Sequence, residues 1–463
     1  MKGWLAWLVL AVPPLACAQA LSPHQRLARE IHKELVEINT VTATGDTAKA
    51  AEAMGARLRA AGFPASDVRV FTPAPRKGNL VARLRGSGAK KPILLLAHID
   101  VVEAKREDWS TDPFKLQEKD GYFYGRGTDD DKFMAAAFVA NLIRYRQEGY
   151  KPERDIVVLL ETDEEIGDAD NVGIRWVLAN HRELIDAEFA LNEGGGVGMK
   201  NGRPLRHGVQ TGEKVPVNYR LEVKNPGGHS AQPRKDNAIY RLAEGLARLS
   251  RFDFPMKLNE TTRLWFERSA ATEDAQTGAD MKAVAAGSAD AATIARLSAK
   301  PNYNAQLRTT CVATLLEGGH ASNALPQSAR ATVNCRILPG EPIAEVESTL
   351  RSVLADEQIS LTRSGEFVAS PPSPLRPDIM QPIGKLTAEF WPGIPVIPSM
   401  SAGATDGRYL RNAGIPTYGH SGLAGDIDDN RIHGRDERVS VKAFDDGLEY
   451  LYRLVKALSS PSP

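Results

Sequence analysis

The 463-residue sequence predicts an α/β catalytic domain with a mostly parallel central sheet and flanking helices, interrupted by a ferredoxin-like α+β domain. Short, uniformly apolar runs alternate with helical patterns up to about residue 212, which is typical of buried parallel strands. From about residue 215 the order becomes β-α-β-β-α-β, and a Pro-rich return near Gly365 precedes a final helix. We therefore expect one domain inserted into another.

The same pattern divides the chain into four segments. Residues 1–20 predict a signal peptide, 21–213 the first part of the catalytic domain, 214–366 the inserted domain and 367–463 the second catalytic part. Within the inserted domain, an Ala-rich stretch from 268 to 300 resembles a variable surface segment.

The amino-terminal segment is typical of a secretory signal. It carries Lys2, a short apolar stretch and the small-residue ending Ala18-Gln19-Ala20. The apolar part is too short and too interrupted by proline to span a membrane. We expect cleavage after Ala20, a secreted or periplasmic protein and no membrane partner, with a lipoprotein anchored through Cys17 as the alternative.

Composition narrows the function class. Lys plus Arg (58) balances Asp plus Glu (58), so no global positive field favours nucleic acid as a partner. After cleavage of the signal only Cys311 and Cys335 remain, and both a disulfide and two buried free thiols are open interpretations. Neither cysteine has a neighbourhood typical of a thiol catalyst.

Acidic and histidine side chains directly follow three of the apolar runs. The run "LLLAHIDVV" contains His98 and Asp100, "VVLLETDEEIG" leads into Glu164 and Glu165, and "FALNEGGG" leads into Glu193. Ligands bind at the carboxyl edge of strands in open α/β sheets. Each cluster alone also fits a core histidine or a solvated acidic loop.

Crowding of these groups favours a metal site. Carboxylates gathered at one sheet edge raise each other's pKa unless a cation compensates. His433, near the carboxyl terminus, adds an imidazole. Histidine and carboxylate ligands suit zinc, so we expect two divalent ions, with zinc first and cobalt or manganese as alternatives.

Nine motifs in register carry a resemblance to a known family. They are "HIDVV", "WSTDPF", "GRGTDDDK", "ETDEEIG", "LNEGGG", "GGHSAQP", "ASNALP", "GATDGRYLRNAGIP" and "HGRDERV". The chain resembles the co-catalytic zinc amidohydrolases and peptidases that include aminoacylase, carboxypeptidase G, succinyl-diaminopimelate desuccinylase and acetylornithine deacetylase. The resemblance implies that the inserted domain is a lid and dimerisation domain.

The resemblance also implies five metal ligands, one of which bridges two ions. The implied ligands are Asp130 as the bridge, His98 and Glu193 for one ion, and Glu165 and His433 for the other. Asp100 would orient His98. Glu164 would be the general base that takes a proton from the attacking water and passes it to the leaving amine.

Other motif positions resemble family residues that contact substrate. His229 would meet the developing oxyanion, often from the partner subunit, which implies a homodimer through the lid and a closing motion. Asn323 and Arg336 would touch the substrate or its carboxylate, and Gly403 would border it. A satisfied loop histidine, a surface arginine and a turn glycine are the plainer alternatives.

The segment "GRGTDDDKF" raises a question of charge, because three aspartates are adjacent. If Asp130 is the bridge, we expect Asp129 and Asp131 to meet backbone donors at the start of the following helix. Lys132 is then a local counter-ion. The resemblance further implies a cis peptide bond between Asp130 and Asp131.

Two positions depart from the family pattern. Phe133 stands where the family usually has glycine, and Glu103 stands where proline is common. Neither change removes a ligand, so we expect them to alter the packing or shape of the site rim and thereby the specificity.

The sequence therefore predicts an exported dinuclear zinc metallohydrolase that cleaves a small peptide next to a free carboxylate, as a carboxypeptidase or dipeptidase. An N-acyl amino acid hydrolase is the nearest alternative. An aminopeptidase would need an acid to hold the substrate ammonium, for which Asp163, Asp168 and Asp170 are candidates. A catalytically silent binding protein would have lost a ligand or the base, and none is lost.

Overall fold

The computed structural model describes residues 20–166, 172–365 and 367–460. Most of the predicted signal segment, including Cys17, and also Asp168 and Asp170 lie outside the described residues. The strands in chain order are β1 (Val68–Ala74), β2 (Lys77–Leu84), β3 (Ile93–His98), β4 (Gln117–Lys119), β5 (Tyr122–Tyr124), β6 (Ile156–Glu161), β7 (Phe189–Asn192), β8 (Val197–Lys200), β9 (Arg203–Glu213), β10 (Val215–Lys224), β11 (Gly228–His229), β12 (Thr310–Gly318), β13 (Ala324–Leu325), β14 (Ser328–Ile337), β15 (Ser360–Ser364), β16 (Val396–Ser401), β17 (Thr417–Gly419), β18 (Ala424–Asp426) and β19 (Arg438–Ser440).

The helices complete the description. In chain order they are α1 (Pro23–Glu37), α2 (Thr47–Ala60), α3 (Lys132–Gln147), α4 (Ile174–Asn180), α5 (Arg182–Ile185), α6 (Ala238–Leu249), α7 (Glu260–Ser269), α8 (Ala275–Ala285), α9 (Ala291–Ser298), α10 (Pro301–Leu307), α11 (Ile343–Leu354), α12 (Pro377–Phe390), α13 (Gly407–Asn412) and α14 (Val441–Ser459). None of the described helices is long and apolar enough to cross a bilayer.

The large sheet has a parallel centre and antiparallel flanks. Strands β6, β3, β7 and β17 lie side by side in parallel, whereas β2 and β9 join them antiparallel. Every residue of β3 is buried, because alternate side chains enter two cores. Leu95 packs with the helices that include α3 and α14, and Leu94 packs on the opposite face with α4 and α13. The predicted fold class is confirmed.

The inserted domain is a four-stranded antiparallel sheet in the order β12-β14-β10-β15. Its burial alternates along β14, and the apolar face is covered by α6 and α11. This is the ferredoxin-like arrangement that the element order predicts. Only Lys214 separates β9 of the catalytic sheet from β10 of the lid. Cys311 and Cys335 form a disulfide that links β12 to β14, so the disulfide alternative applies.

The Ala-rich stretch differs from the expected variable surface segment. Helices α7 to α10 enclose a small core of their own, with Phe266, Met281 and Leu307 fully buried. The cluster packs on β16 of the catalytic domain, where the Gln306 side chain donates to the Met400 carbonyl at 2.9 Å. Because the stretch is rich in alanine, its sequence pattern did not reveal that it forms a packed helical unit.

Phe133 is a core residue and not part of the site rim. It is fully buried at the start of α3, with its ring 5.4 Å from that of Phe444 on α14. A Cβ added to Gly447 would lie 2.7 Å from the tip of the Phe133 ring. The phenyl ring therefore fills space that a glycine on α14 leaves open, and the expected effect of Phe133 on the rim is wrong. Glu103, by contrast, is exposed.

We expect Gly447→Ala to destabilise the catalytic domain by about 1 kcal/mol. The overpacking penalty, about 1 to 3 kcal/mol, exceeds the gain in helix propensity of about 1 kcal/mol. In a Phe133→Leu background the same change should cost less, because leucine lacks the ring atom that the added Cβ would meet. Urea unfolding of the four proteins in this double-mutant cycle measures the coupling. An equal cost in both backgrounds would show that the ring is not the obstacle.

Candidate metal centre

Three parallel strands end at the same edge of the sheet and deliver side chains there. β3 ends in His98, the turn after β6 carries Glu164 and Glu165, and Glu193 follows β7. β3 lies between β6 and β7, so the three strand ends are adjacent. The predicted clusters therefore meet at the carboxyl edge of the sheet, where ligands bind in open α/β folds.

Asp130 stands between two histidines from distant parts of the chain. Its Oδ1 lies 3.0 Å from Nε2 of His98, and its Oδ2 lies 3.1 Å from Nε2 of His433. His433 also lies 3.0 Å from an oxygen of Glu165, and His98 lies 4.0 Å from an oxygen of Glu193. The contacts thus form two groups that share Asp130, one around each histidine.

Asp100 supports both groups. Its carbonyl oxygen lies 3.0 Å from Nδ1 of His98, and its carboxylate lies 3.6 Å from the same nitrogen. The carboxylate also accepts hydrogen bonds from the backbone N–H of Glu164 at 3.2 Å and of Glu165 at 3.1 Å. Asp100 therefore contacts the imidazole and in addition fixes the turn that carries the two glutamates.

Of the three adjacent aspartates, Asp130 is the one in contact with the two imidazole rings, and its peptide bond to Asp131 is cis. Asp131 is the N-cap residue of α3 but makes no capping hydrogen bond; its carboxylate meets the backbone N–H of His98. The Asp129 carboxylate has no hydrogen-bond donor among the described residues, and burial raises its pKa to about 8. Lys132 donates to two carbonyls at the carboxyl end of α1, at 2.8 and 3.1 Å. The predicted helix contacts of both flanking aspartates are therefore wrong. Lys132 forms no ion pair with the adjacent aspartates, and the nearby charges of Glu437 and Asp100 act on it instead.

The electrostatics explain why these acids favour a cation. Burial, followed by the neighbouring Asp406, raises the pKa of Glu164 well above its usual range. Burial, followed by Glu164, does the same for the pKa of Glu193. Burial lowers the pKa of His98, but hydrogen bonds with the nearby aspartates outweigh that effect and raise it well above 6.5. Burial raises the pKa of Asp130, but hydrogen bonds with His433 and His98 outweigh that effect and lower it. Glu164 and Glu193 hold their protons firmly, so ionising them favours a compensating positive charge.

The donor set fits a pair of divalent ions. Ligand atoms of His98, Asp130 and Glu165 lie within 4.8 Å of one another, as do those of His98, Glu164 and Glu193. Imidazole nitrogens and carboxylate oxygens are the ligands that zinc takes. One carboxylate has its two oxygens directed at different histidines, as a bridging ligand requires. The role of each ligand stays a prediction that metal analysis tests.

Two lid residues predicted to act on the substrate lie apart from these groups. His229 is exposed on β11, which pairs with β13, and its Nδ1 accepts a hydrogen bond from the backbone of Ala231 at 3.1 Å. The Asn323 carbonyl accepts from the backbone of Ser230 at 3.1 Å. No contact within the described residues joins either side chain to the metal ligands.

Arg336 and Gly403 meet at the boundary between the lid and the catalytic domain. An N–H of Arg336 donates to the Ala402 carbonyl at 3.4 Å, which places the guanidinium against the loop that contains Gly403. Arg336 forms no ion pair with any described residue. Burial, followed by the nearby Arg408, lowers the pKa of Arg336. An unpaired cation thus borders the predicted substrate loop.

Two acidic residues near the cluster are not among the predicted site residues. Glu437 is almost fully buried and accepts hydrogen bonds from the backbone of Asp129 and Asp130. Asp406 is also buried and contributes to the raised pKa of Glu164. Glu437 lies in the motif "HGRDERV" together with His433, and Asp406 lies in "GATDGRY" together with Gly403. A motif shared with a predicted site residue is the signal that could have indicated them.

The comparison with known proteins settles the family. Residues 94–457 match the family model of peptidase family M20/M25/M40. The chain belongs to this family. Family membership makes the protein a hydrolase of amide bonds, so the predicted family and enzyme class are confirmed.

Two relatives and one solved structure illustrate the similarity. The N-fatty-acyl-amino acid synthase/hydrolase PM20D1 of Xenopus tropicalis is 32% identical over 373 residues, which cover 79% of this chain and 72% of that protein. The probable carboxypeptidase S-like 2 of Dictyostelium discoideum is 28% identical over 380 residues, with 79% and 71% covered. The M20 family metallo-carboxypeptidase Sso-CP2 from Sulfolobus solfataricus superposes with a TM-score of 0.69 at 18% identity, covering 93% of this chain and 99% of that chain. This last likeness shows the fold.

We expect chelation to lower the melting temperature and added zinc to restore it. An ion that binds only the folded state at 100 times its Kd adds about 2.7 kcal/mol of stability per site. The gain should shrink as the pH falls from 8 to 6, because the ligands must lose protons to bind metal. Differential scanning fluorimetry measures the shift, with His433→Ala expected to retain only part of it. A melting temperature indifferent to both chelator and zinc would contradict a metal centre.

Proposed function

We propose that the protein is an exported dinuclear metallohydrolase that cleaves a peptide or amide bond next to a free carboxylate, as a carboxypeptidase or dipeptidase does. The observation that carries the proposal is the pair of ligand groups that share Asp130, with Glu164 beside them. Zinc is the proposed metal, with cobalt and manganese as alternatives. The family supports the reaction class, and the unpaired Arg336 supports recognition of a carboxylate.

Each residue has a task in the proposed reaction. Two ions held by the ligand groups would polarise the scissile carbonyl and render a water nucleophilic at neutral pH. Glu164 accepts the proton of that water and passes it to the leaving amine; its raised pKa suits a group that must hold a proton between the two steps. Asp100 keeps the backbone of Glu164 in place. Arg336 binds the substrate carboxylate from the lid.

Hydrolysis of N-acyl amino acids is the second candidate, and one observation favours it. Ile166 follows Glu165 and is 47% exposed, while Ile432 precedes His433 and is 40% exposed. Glu165 and His433 are in contact, so two exposed apolar residues are next in sequence to residues of the cluster. Exposed apolar groups beside a reactive centre suit an apolar acyl group on the substrate. The relative from Xenopus tropicalis carries the name of an enzyme that acts on such compounds.

The other two alternatives have less support. Asp163 is not available to a substrate ammonium, because Lys77 lies 2.7 Å away and Thr42 donates to the same carboxylate. This weakens the aminopeptidase alternative. A silent binding protein would lack a ligand or the base, whereas the five predicted ligands and Glu164 are all present in one chain.

We expect free dipeptides and N-acyl amino acids to be cleaved, and their C-terminal amides to be cleaved at least about 100-fold less efficiently, because Arg336 then loses its ionic partner. An N-acyl series of increasing chain length separates the two candidates. Burial of each methylene is worth about 0.8 kcal/mol, which is up to about fourfold in kcat/KM. A kcat/KM that does not change with acyl length favours the peptidase. Equal cleavage of the free acids and their C-terminal amides would contradict carboxylate recognition.

Glu164→Gln tests the proposed role of Glu164 as the general base. It should retain both ions and lower kcat by at least about 100-fold, since proton transfer by the base is lost while the shape of the side chain is kept. Metal content by mass spectrometry and kcat on the same preparation distinguish this outcome from loss of the centre. A near-normal kcat would overturn the assignment of the base.

We further propose a homodimer formed through the lid. The edge strand β12 and the adjacent helix α6 expose large apolar side chains. These are Ile239, Tyr240, Val312, Leu315 and Leu316. An apolar sheet edge is a template for pairing with a second copy of the chain. A dimer would also give the exposed His229 a site to act on, namely that of the partner subunit.

We expect a mixture of Glu164→Gln and His229→Ala chains to regain activity that neither variant has alone. In a mixed dimer, the His229→Ala chain keeps its own Glu164 and would receive an intact His229 from its partner. With random pairing, one active site in four gives about a quarter of wild-type activity. Co-expression with two different tags allows the mixed dimer to be isolated. If that dimer is as inactive as the parents, His229 does not act across the interface.

Export is proposed on two grounds. Residues 1–20 have the pattern of a cleaved signal, and the Cys311–Cys335 disulfide is typical of proteins in oxidising compartments. Fractionation of cells that express the full chain, with amino-terminal sequencing, tests the proposal. Export predicts a mature chain that begins after Ala20, and a full-length cytosolic chain would refute it.

A further inference from the structure

A buried carboxylate accepts hydrogen bonds from the loop that carries Asp130, one of the predicted metal ligands. The side chain of Glu437 is 1% exposed. Its Oε1 accepts hydrogen bonds from the backbone N–H of Asp129 at 2.9 Å and of Asp130 at 3.3 Å. Its Oε2 accepts from the backbone N–H of Gly127 at 3.0 Å. Three backbone N–H groups of the loop around Asp130 therefore share one acid that is distant in sequence.

Arg126 completes this arrangement and extends it to the loop that carries His433. One guanidinium N–H of Arg126 donates to Glu437 at 2.7 Å, and another donates to the Gly434 carbonyl at 2.9 Å. The guanidinium lies 5.0 Å from the ring centre of Trp109 and is 3% exposed. The Arg126–Glu437 clasp thus joins the residue after His433 to the loop before Asp130.

The two ligands on these loops need such support more than the others do. His98 belongs to β3 and Glu193 directly follows β7, so the hydrogen-bonded sheet fixes both. Asp130 and His433 lie outside the described strands and helices. His433 has a positive φ of 63°, which a side chain larger than glycine rarely adopts, and its side chain is 53% exposed. Local packing alone does not hold it.

We propose that Arg126 and Glu437 are positioning residues that set the separation of Asp130 and His433, and thereby the affinity for the second metal ion. The inference rests on the proposed dinuclear centre. A fixed charge pair that makes hydrogen bonds to both loops keeps the ligand atoms of Asp130 and His433 3.1 Å apart. Supporting residues of this kind change metal affinity by about 10- to 100-fold when they are replaced.

The test must separate positioning from general stability, because removing one member of any buried charge pair destabilises a protein. The chain offers a matched pair for that purpose. Glu213 and Arg411 lie 2.6 Å apart, and each side chain is 3% exposed. Glu213 accepts from Thr405 and Arg411, and none of its described contacts reaches the loops of Asp130 or His433.

The experiment compares Glu437→Gln with Glu213→Gln in the full-length protein by zinc titration against a chromophoric competitor and by the visible spectrum of bound cobalt. Glutamine at 437 keeps the shape but sets an amide NH2 against N–H donors. We expect wild type and Glu213→Gln to bind two ions with similar affinity. Glu437→Gln should bind the first ion and lose about 10- to 100-fold in affinity for the second, with an altered cobalt spectrum.

Each remaining outcome decides the question. If Glu437→Gln does not fold, Arg126→Lys keeps the charge but cannot reach Glu437 and Gly434 together, and the same loss is expected of it. Unchanged affinity for the second ion in these variants, or an equal loss in Glu213→Gln, overturns the clasp. A wild-type protein that binds fewer than two ions instead overturns the proposed dinuclear centre.

Discussion

Negative charge confined to one edge of a sheet is the constraint on which the rest of the structure depends. The register of parallel strands β3, β6 and β7 fixes where each strand ends, so His98, the turn that carries Glu164, and Glu193 are held at the same edge. Burial strengthens the repulsion among the acids, because little water remains to screen it. Ions at this edge would offset the repulsion, and the same ions would supply the chemistry that the family performs.

Backbone N–H groups hold two further acids of this edge in place. The carboxylate of Asp100 takes two N–H groups of the turn after β6, and that of Glu437 takes three from the loop before α3. Hydrogen bonds to ionised groups are stronger than those between neutral ones. These two acids therefore shape the loops that carry the predicted metal ligands. The strands of the site belong to the first half of the chain, but Glu437, which holds one of its loops, comes from the carboxyl-terminal part.

Local pattern was sufficient wherever a residue's environment is set by its own strand or helix. Apolar runs predicted β3 and β6, and the order of elements predicted the lid sheet. Prediction failed where the deciding partner is far along the chain. Lys132 adjoins three aspartates in sequence, yet its ammonium group meets carbonyls at the end of α1. Phe133 looked like a rim residue because the glycine that accommodates it, Gly447, lies near the opposite terminus.

The sequence by itself determined the elements, the position of the lid within the chain, the family and the acids and histidines that surround the candidate centre. Only the tertiary structure decided how they meet: that the two oxygens of Asp130 face different histidines, that the Ala-rich helices pack on β16, and that Glu437 holds the Asp130 loop. The physical reason is distance along the chain. Strand and helix periodicity depend on neighbouring residues. These contacts instead join segments that approach each other only when the whole sheet and its helices have packed.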